Sequence, residues 1–266
     1  MFIAAYRLIN LRNNSQSDSI ETHIAEVLLK HINEIDSMSI EQVAQLCGVS
    51  KSTLSKFVKK IGFDDYKEFR DITRNEKRRS GYYGYEDKLP MGRFIERKGW
   101  REYISILEKD LQTFANTIDF TQISALARAL HTQEQVAAFG SVYSQTVAID
   151  FMYRLAEEGK YIRTYTYDTK QEQYLKNMDE ETLVIIFSNS GYYLYGEGMK
   201  LNGEFKSYLK RTNGKIALIT SNEKIAKDPL VKYPIQYSFS TDVHSHMIME
   251  RLVMEMIVSE YKKIKI

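Results

Sequence analysis

Cysteine and proline are scarce in this chain of 266 residues, which contains one cysteine and three prolines. A single thiol cannot form an internal disulfide, so the class of small disulfide-stabilised secreted domains is excluded. One cysteine and five scattered histidines give no zinc-ligand spacing, and we predict neither a metal site nor a cofactor. Cys47 lies on an apolar helix face, where we expect a buried structural thiol.

Long apolar runs are also lacking, and the absence of any stretch of about 18 apolar residues argues against a transmembrane helix. The N-terminal segment MFIAAYRLINLRNNSQSDS has no basic region before its apolar part and no small-residue cleavage site. We therefore expect a cytoplasmic protein without a membrane partner. Hydrophobic residues make up 43% of the chain and aromatic residues 12%, which excludes a disordered chain and is enough for two domains.

Positive and negative side chains are almost equal in number, which gives a net charge of +2, but they are unevenly distributed along the chain. Residues 1–47 contain three basic and six acidic side chains, whereas residues 48–80 contain ten basic and five acidic ones. A local surplus of positive charge is the electrostatic footprint expected of a surface that binds nucleic acid. The overall charge conceals this surplus.

The segment SIEQVAQLCGVSKSTLSKFVKKIG, residues 39–62, has the pattern of two short helices joined by a tight turn. Ser39 and Ser50 are candidate N-caps, and Gly48 suits the positive φ that often follows a helix. Apolar residues recur at helical spacing in both halves, which predicts a helix-turn-helix whose second helix enters the major groove of DNA. The alternative is an ordinary amphipathic helix pair with a solvated lysine face. The predicted DNA contacts are Ser50, Lys51, Ser52, Thr53, Ser55, Lys56 and Lys59.

Composition divides the chain into three parts. Residues 1–79 are predicted to form the all-α helix-turn-helix domain, residues 80–104 a glycine-rich linker, and residues 105–266 a second domain. Trp100 opens a predicted helix and is expected to anchor it in the core.

In the second domain, apolar runs alternate with helical patterns, which predicts an α/β fold with a parallel sheet and helices on both faces. The helical patterns include residues 196–211 and a long final helix. The predicted strands are EQVAAFG, YIRTYTY, TLVIIFS, KIALIT and PIQYSFS.

Two of these strands end in turns that are rich in glycine and serine. The turn after EQVAAF contains Gly140, Ser141 and Ser144, and the turn after TLVIIF contains Ser188, Asn189, Ser190 and Gly191. Serine hydroxyls and free backbone N–H groups at a helix N-terminus bind anions, most often phosphate. We predict a ligand site at these strand ends. The alternative is that serine and glycine are simply common in strand-to-helix turns.

The run SIEQVAQLCGVSKSTLSKFVKKIGFDDYKEF resembles the N-terminal domain of RpiR-type bacterial transcription regulators. Its Ser-Ile opening, the Ala in its first helix, its Gly-Val-Ser turn and its closing Gly-Phe carry the resemblance. Lys56 stands where the family usually has arginine, which keeps the charge and loses the bidentate fork suited to guanine.

Residues 105–262 resemble the SIS, or sugar isomerase, domain that follows this head in RpiR-type regulators, a flavodoxin-like α/β sandwich. SNSG matches the family's phosphate loop, and Gly140 with Ser144 matches its first serine-bearing turn. Val142 and Tyr193 depart from the family, which often has glycine and a hydroxyl residue there. The resemblance implies a double-stranded DNA operator, a phosphosugar-type effector, and a homodimer or homotetramer. Tyr193 and His246 complete the predicted ligand-binding residues.

We therefore predict a DNA-binding transcription regulator that senses a phosphorylated sugar and is not an enzyme. One alternative is a sugar-phosphate isomerase in which His244, His246 and Glu250 supply acid–base groups. Another is a DNA-binding dimer whose second domain has lost its ligand. The apolar stripe from Met247 to Ile257 is open to two interpretations, as core or as a dimer surface.

Overall fold

The computed structural model describes residues 3–78, 91–195, 209, 212–243 and 246–265. These residues form two compact units, a helical one within residues 3–78 and an α/β one from residue 91 onward. Each unit buries its own apolar core. Across the described residues, no helix is long and apolar enough to cross a lipid bilayer.

The N-terminal unit is entirely helical over the residues described. Its elements are α1 (Ile3–Asn14), α2 (Ile20–Lys30), a 3-10 turn (Ile35–Ser37), α3 (Ile40–Leu46), α4 (Lys51–Lys60) and α5 (Tyr66–Arg78). Ser19 begins α2 as an N-cap, because its hydroxyl accepts the Thr22 N–H at 3.1 Å. The core of the unit contains the fully buried side chains of Leu8, Ile24, Leu28, Ile35, Leu54 and Phe69.

Two long-range hydrogen bonds fix α3 and α4 within this unit. The Arg7 guanidinium donates to the Gly62 carbonyl at 2.6 Å and lies 4.6 Å from the centre of the Phe63 ring. The Tyr66 hydroxyl donates to the Met38 carbonyl at 3.0 Å. The segment that contains both short helices is thereby tied to α1 at its end and to α5 at its beginning.

The second unit is an α/β fold, as predicted. Its elements are α6 (Met91–Lys98), α7 (Trp100–Thr117), α8 (Phe120–Thr132), β1 (Gln135–Gly140), α9 (Tyr143–Glu157), α10 (Asp168–Lys176), β2 (Thr182–Phe187), α11 (Tyr192–Tyr195), β3 (Lys215–Thr220), α12 (Glu223–Ala226), β4 (Tyr233–Gln236) and α13 (His246–Lys265). The four strands pair in parallel in the order β1-β2-β3-β4. The helix predicted over 196–211 lies outside the described residues, apart from Leu209.

Both faces of the sheet are covered, which explains the unbroken apolar runs in its strands. Along β2, Leu183 and Ile185 belong to one buried cluster, and Val184 and Ile186 belong to the other. The first cluster also contains side chains from α8, α9 and α13. Period-two alternation within a continuous apolar run thus separates two cores.

The strand predicted at YIRTYTY was wrong in extent, because only Arg163 pairs with the sheet, through a single bridge to Ala137. Beyond this bridge, the Tyr165 carbonyl accepts the Gln171 side-chain amide at 2.6 Å, and the Gly140 N–H donates to the Gln145 side chain. Ala137 also pairs with Val184 in β2, so the bridge lies on the opposite edge of β1. Counting this bridge as a strand, the spatial order is 2-1-3-4-5, the flavodoxin-like order.

The range predicted as a linker, residues 80–104, contains α6 and the start of α7. Phe94 of α6 is buried with Tyr103 and Val243 in a small apolar cluster. The prediction that Trp100 is a core anchor was wrong, because its side chain is 63% exposed. In this first turn of α7, Tyr103 faces inward. The Trp100 ring packs edge-to-face with the Tyr103 ring, and the two ring centres are 6.1 Å apart.

The apolar stripe of α13 lies partly in the core of the α/β unit. Met249, Val253, Met254 and Ile257 are fully buried in the cluster formed with α8, α9 and the sheet. Met247 alone among the large apolar residues of this stripe is markedly exposed, at 38%. Of the stripe as predicted, Val253 and Ile257 are fully buried, and Ile248, Leu252 and Met256 are half-buried. A contribution of the half-buried side chains to a dimer surface stays a prediction.

Candidate functional site

Local hydrogen bonds set the start of each helix in the predicted helix-turn-helix. Ser39 and Gln42 form a capping box before α3, in which the Ser39 hydroxyl accepts the Gln42 N–H at 3.3 Å and the Gln42 side chain accepts the Ser39 N–H at 2.7 Å. Gly48 follows α3 with a φ of +63°. The Ser50 hydroxyl then accepts the Thr53 N–H at 3.1 Å and begins α4. Both predicted caps are confirmed.

One face of α4 is buried, and this determines which side chains point outward. Leu54, Phe57 and Val58 are buried in the helical unit. Of the predicted DNA contacts, Ser50, Lys51, Ser52, Lys56 and Lys59 are exposed, and Thr53 and Ser55 are half-buried. The hydroxyls of Ser50 and Thr53 lie 2.9 Å apart within the cap, so they serve the start of the helix as well as its outer surface.

The positive charges of α4 are not equally available to a ligand. Lys51 forms an ion pair with Glu41 of α3, and the Lys51 ammonium lowers the pKa of that carboxyl to about 2. Lys60 pairs with Glu21 of α2 at 2.5 and 2.6 Å. Lys56 and Lys59 make no ion pair with any described residue. The available charge on the outer face of α4 is therefore centred on Lys56 and Lys59.

Cys47 ends α3 inside this unit and is 1% exposed. Burial raises the pKa of its thiol to about 11, which leaves the reactive thiolate scarcely populated at neutral pH. The expectation of a buried structural thiol is confirmed. No group of three His, Cys, Asp or Glu side chains within the part of the chain that the structure describes is placed to hold a metal ion.

In the α/β unit, strand register brings the two predicted ligand-binding turns together. Gly140 at the end of β1 pairs with Phe187 at the end of β2, so both turns leave the sheet at the same level. With the Arg163 bridge on the far side of β1, the chain leaves in opposite directions from β1 and β2. This is the switch point where ligands of open α/β sheets bind.

Gly140 is required where β1 enters α9. A Cβ at this position would lie 2.5 Å from the carbonyl carbon of Ser144 and 2.7 Å from the backbone nitrogen of Gln145. Val142, between them, has a φ of +52°, a region that disfavours β-branched residues. A glycine at this position would adopt this φ without strain.

A buried network of side-chain amides supports the first turn. The Gln145 carbonyl oxygen accepts the Gly140 N–H at 2.9 Å and the Gln171 amide at 2.8 Å. Gln171 in turn accepts the Tyr193 hydroxyl at 2.7 Å. Tyr193 is 7% exposed, so its phenol supports the turn from below and does not line a surface. The predicted contact of Tyr193 with a ligand stays a prediction.

The second turn is held by hydrogen bonds from three neighbouring segments. The Ser188 hydroxyl accepts the Tyr193 N–H at 3.3 Å, and the Asn189 side chain accepts the Tyr237 hydroxyl at 2.8 Å. The Ser190 carbonyl accepts the Asn222 amide at 3.0 Å. Gly191 has a φ of +73°, and a Cβ there would lie 2.8 Å from Ile225. These contacts fix the backbone of the whole SNSG turn.

Glu250 of α13, which was predicted only as an acid–base group of the isomerase alternative, lies beside the first turn. Its carboxyl is fully buried, and one oxygen accepts the Ser144 hydroxyl at 3.1 Å. The other oxygen has no hydrogen-bond partner among the described residues. Burial raises the pKa of Glu250 to about 8, against smaller opposite effects of the Ser144 hydroxyl and the Asn189 backbone. A carboxyl in this state is largely protonated at neutral pH.

The structure therefore brings together Gly140, Ser141, Ser144, Ser188, Asn189, Ser190 and Gly191 at one end of the sheet. His246 begins α13, but its side chain lies outside the described residues, as does His244. Glu250 could have been predicted as a site residue, because it is a charged residue on the apolar face of α13. It lies next to Met249 and three residues before Val253, both of which are fully buried.

Comparison with known protein families identifies the helical unit. Residues 6–76 match the helix-turn-helix domain of the rpiR family. The helical unit is thus similar to the helix-turn-helix domain of the rpiR family. The matched range contains α3, α4 and every predicted DNA-contacting residue.

Two HTH-type transcriptional regulators match this chain over more residues than the helix-turn-helix domain contains. An uncharacterized HTH-type transcriptional regulator from Providencia stuartii is 26% identical over 175 residues, which cover 64% of this chain and 60% of that protein. The HTH-type transcriptional regulator GlvR of Bacillus subtilis is 25% identical over 148 residues, which cover 56% of this chain and 51% of GlvR. The matches thus span little more than half the length of these relatives.

Solved structures that match this chain include Vibrio vulnificus NanR, complexed with ManNAc-6P, at a TM-score of 0.46 and 13% identity over 98% of this chain and 91% of that one. The sugar isomerase domain of an RpiR transcription factor from Sphaerobacter thermophilus has a TM-score of 0.43 and 15% identity over 61% of this chain and 90% of that one. The fold of the α/β unit is assigned from its own strand order and register.

The raised pKa of Glu250 predicts that the free energy of unfolding of the α/β unit depends on pH. Its ordinary value is near 4.5, so the folded state holds a proton that the unfolded state releases between pH 4.5 and about 8. This contribution to stability is fully present below pH 4.5 and is lost as the pH rises through 8. The loss is on the order of a few kcal/mol, at about 1.4 kcal/mol for each pKa unit.

Urea unfolding of the wild type and of Glu250→Gln between pH 5 and pH 9 measures this loss. We expect the variant to lack the decline and to gain relative stability towards pH 9, because its neutral amide can still accept the Ser144 hydroxyl. Glu255→Gln, on the exposed face of the same helix, is the control and should follow the wild type. Parallel curves for the wild type and Glu250→Gln would contradict the raised pKa.

Proposed function

We propose that this chain is a sequence-specific DNA-binding transcription regulator whose α/β unit binds a phosphorylated sugar or a related metabolite. The observation that carries the proposal is the outward face of α4 in an rpiR-family domain, where Lys56 and Lys59 are exposed and form no ion pair with a described residue.

In this proposal α4 lies in the major groove with its N-terminal half towards the base edges. Ser52 and Ser55 are suited to hydrogen bonds with bases, and Lys56 and Lys59 to phosphates. Lys51 reaches a phosphate only by leaving Glu41, so we expect it to contribute less to affinity than its exposure suggests. The Ser50 and Thr53 hydroxyls act mainly through the cap.

We also propose that the protein acts as a homodimer or homotetramer on a pseudo-palindromic operator. Helix-turn-helix domains bind in pairs to half-sites about one helical turn apart, so a two-fold protein matches a two-fold site. Binding of an effector to the α/β unit would change DNA affinity, and thermodynamic reciprocity requires DNA to change effector affinity by the same factor.

The proposed effector site is the pair of turns after β1 and β2. Its support is the shared level of Gly140 and Phe187, the serine hydroxyls of both turns, and the position at the switch point of the sheet. Glu250 adds a buried carboxyl beneath the first turn. Because burial keeps it largely protonated near neutral pH, it does not repel a phosphate as an ionised carboxylate would.

Removing Lys56 or Lys59 should weaken binding to duplex DNA without unfolding the protein, because both side chains are exposed. Each lost phosphate contact should reduce the slope of log affinity against log salt concentration by about 0.9, and by twice that if two domains engage one duplex. We would measure this slope for Lys56→Ala and Lys59→Ala by fluorescence anisotropy of labelled duplex DNA.

Lys224→Ala is the matched control, since it removes from α12 of the other unit one exposed lysine that forms no ion pair with a described residue. It should leave the slope and the affinity close to the wild-type values. If all three variants keep the wild-type slope, α4 is not the DNA-binding helix.

Ser141→Glu should abolish or strongly weaken sugar-phosphate binding, because it places a carboxylate in the first turn, where the proposal puts the phosphate. Ser141→Gln has the same size and no charge, and it should bind at least about tenfold more tightly than Ser141→Glu. We would measure binding calorimetrically with a sugar-phosphate panel that includes ManNAc-6P, the ligand named for NanR.

Equal binding by the two Ser141 variants would remove the first turn from the effector site. An absence of saturable binding by the wild type would favour a DNA-binding dimer without an effector. Turnover of an aldose or ketose phosphate that is lost in Glu250→Gln would favour the isomerase alternative.

A further inference from the structure

The apolar stripe of α7 continues beyond the core that covers its second half. Residues Trp100, Ile104, Leu107 and Leu111, here called the α7 stripe, recur at intervals of four and three, and Phe114 and Ile118 extend the same pattern. Phe114 and Ile118 are 2% and 8% exposed in the core of the α/β unit. Leu107 and Leu111 are partly buried against that core, whereas Trp100 and Ile104 are 63% and 51% exposed.

This exposure is unusual for the residue types concerned. Tryptophan and isoleucine are among the side chains that gain most from leaving water, and two of them one helical turn apart form a continuous apolar surface. Tyr103, which lies on the inward side of the same turn, is buried with Phe94 and Val243. The start of α7 is therefore anchored by one face while its apolar second face remains uncovered.

The charges beside the α7 stripe are self-complementary. Arg101 and Glu108 are both exposed and lie seven residues apart, so they flank the same edge of the stripe, one on each side of Ile104. Neither side chain forms an ion pair with a described residue. An antiparallel copy of the helix, related by a two-fold axis near Ile104, would place Arg101 opposite Glu108 twice.

We propose that the α7 stripe is a self-association surface, on which a second copy of this chain packs antiparallel through Trp100, Ile104 and Leu107, with two Arg101–Glu108 ion pairs at the edges. A two-fold interface requires that the same patch serve both partners, and the apolar spacing and the charges of this patch meet that requirement. Parallel packing would leave Arg101 and Glu108 about 10 Å apart along the axis, without opposite partners at the same level.

The α7 stripe is short, and it provides less than the roughly 800 Å² per partner of a standard interface. We therefore expect a dissociation constant on the order of micromolar for the chain alone. The inference deepens the proposed function, which needs two DNA-binding domains on one operator. Its test uses no DNA, so it can fail while the DNA-binding proposal stands, and the reverse also holds.

Trp100 is the only tryptophan in the chain, which makes its fluorescence a direct probe of this surface. We would dilute the full-length protein across the association range and record sedimentation equilibrium together with tryptophan emission. The expected result is a dimer at high concentration with blue-shifted emission, and a red shift that follows dissociation. A blue-shifted emission that does not change with concentration in a monomer would mean that the same chain covers Trp100, and this would overturn the proposal.

Charge reversal tests the antiparallel arrangement itself. Arg101→Glu and Glu108→Arg each create two like-charge contacts across the two-fold axis, and each should weaken association at least about tenfold. The double variant Arg101→Glu/Glu108→Arg restores both pairs with reversed sign and should associate like the wild type. Its recovery also excludes misfolding as the cause of the single effects. Single variants that associate normally, or a double variant as weak as either single one, would overturn the proposal.

Discussion

The parallel pairing of β1 with β2 aligns Gly140 with Phe187, and the geometry of the proposed effector site depends on that register. A shift of one residue would move one turn above the other and turn the strand side chains to the wrong face of the sheet. The absence of a Cβ at Gly140 allows the first turn of α9 to close onto the strand end. Glu250 then reaches Ser144 from α13, so that a strand, a turn and the final helix meet at one place.

The carboxyl of Glu250 is fully buried at this place, and its second oxygen has no hydrogen-bond partner among the described residues. Isolated buried charges are expensive, and the raised pKa means that the protein avoids the charge by keeping the proton. Buried polar groups without a partner are rare in stable structures and are more often retained at binding sites. We therefore interpret Glu250, which lies beneath the serine-containing turn, as part of the proposed effector site.

In the rpiR-family domain, the residues that hold α4 in place differ from the residues that are available to DNA. Leu54, Phe57 and Val58 hold one face of α4, and Ser50 fixes its start. Lys51 and Lys60 at its two ends are paired with acidic side chains of neighbouring helices. The remaining outer surface is left to Ser52, Ser55, Lys56 and Lys59, a pattern that favours a surface shaped for DNA over a generally solvated face.

Features set by local interactions were predictable from the sequence, whereas those set by distant partners were not. The caps at Ser39 and Ser50 and the helix-turn-helix depend on residues within one or two turns. Three strands, β1 to β3, were found because buried apolar runs identify them, and the weaker signal PIQYSFS overlaps β4 only at residues 234–236. In YIRTYTY only Arg163 pairs with the sheet, and the Tyr165 carbonyl accepts a side chain that lies six residues further along the chain. Trp100 was misplaced because its exposure depends on where the core ends, and Glu250 meets a partner 106 residues away.

The most direct test of the central claim is selection of genomic fragments by the purified full-length protein at physiological salt, followed by sequencing of the retained DNA. The proposed regulator should recover one inverted repeat whose half-sites are about one helical turn apart. Diffuse retention without a common sequence, falling steeply with salt, would contradict sequence-specific recognition and leave only general affinity for DNA.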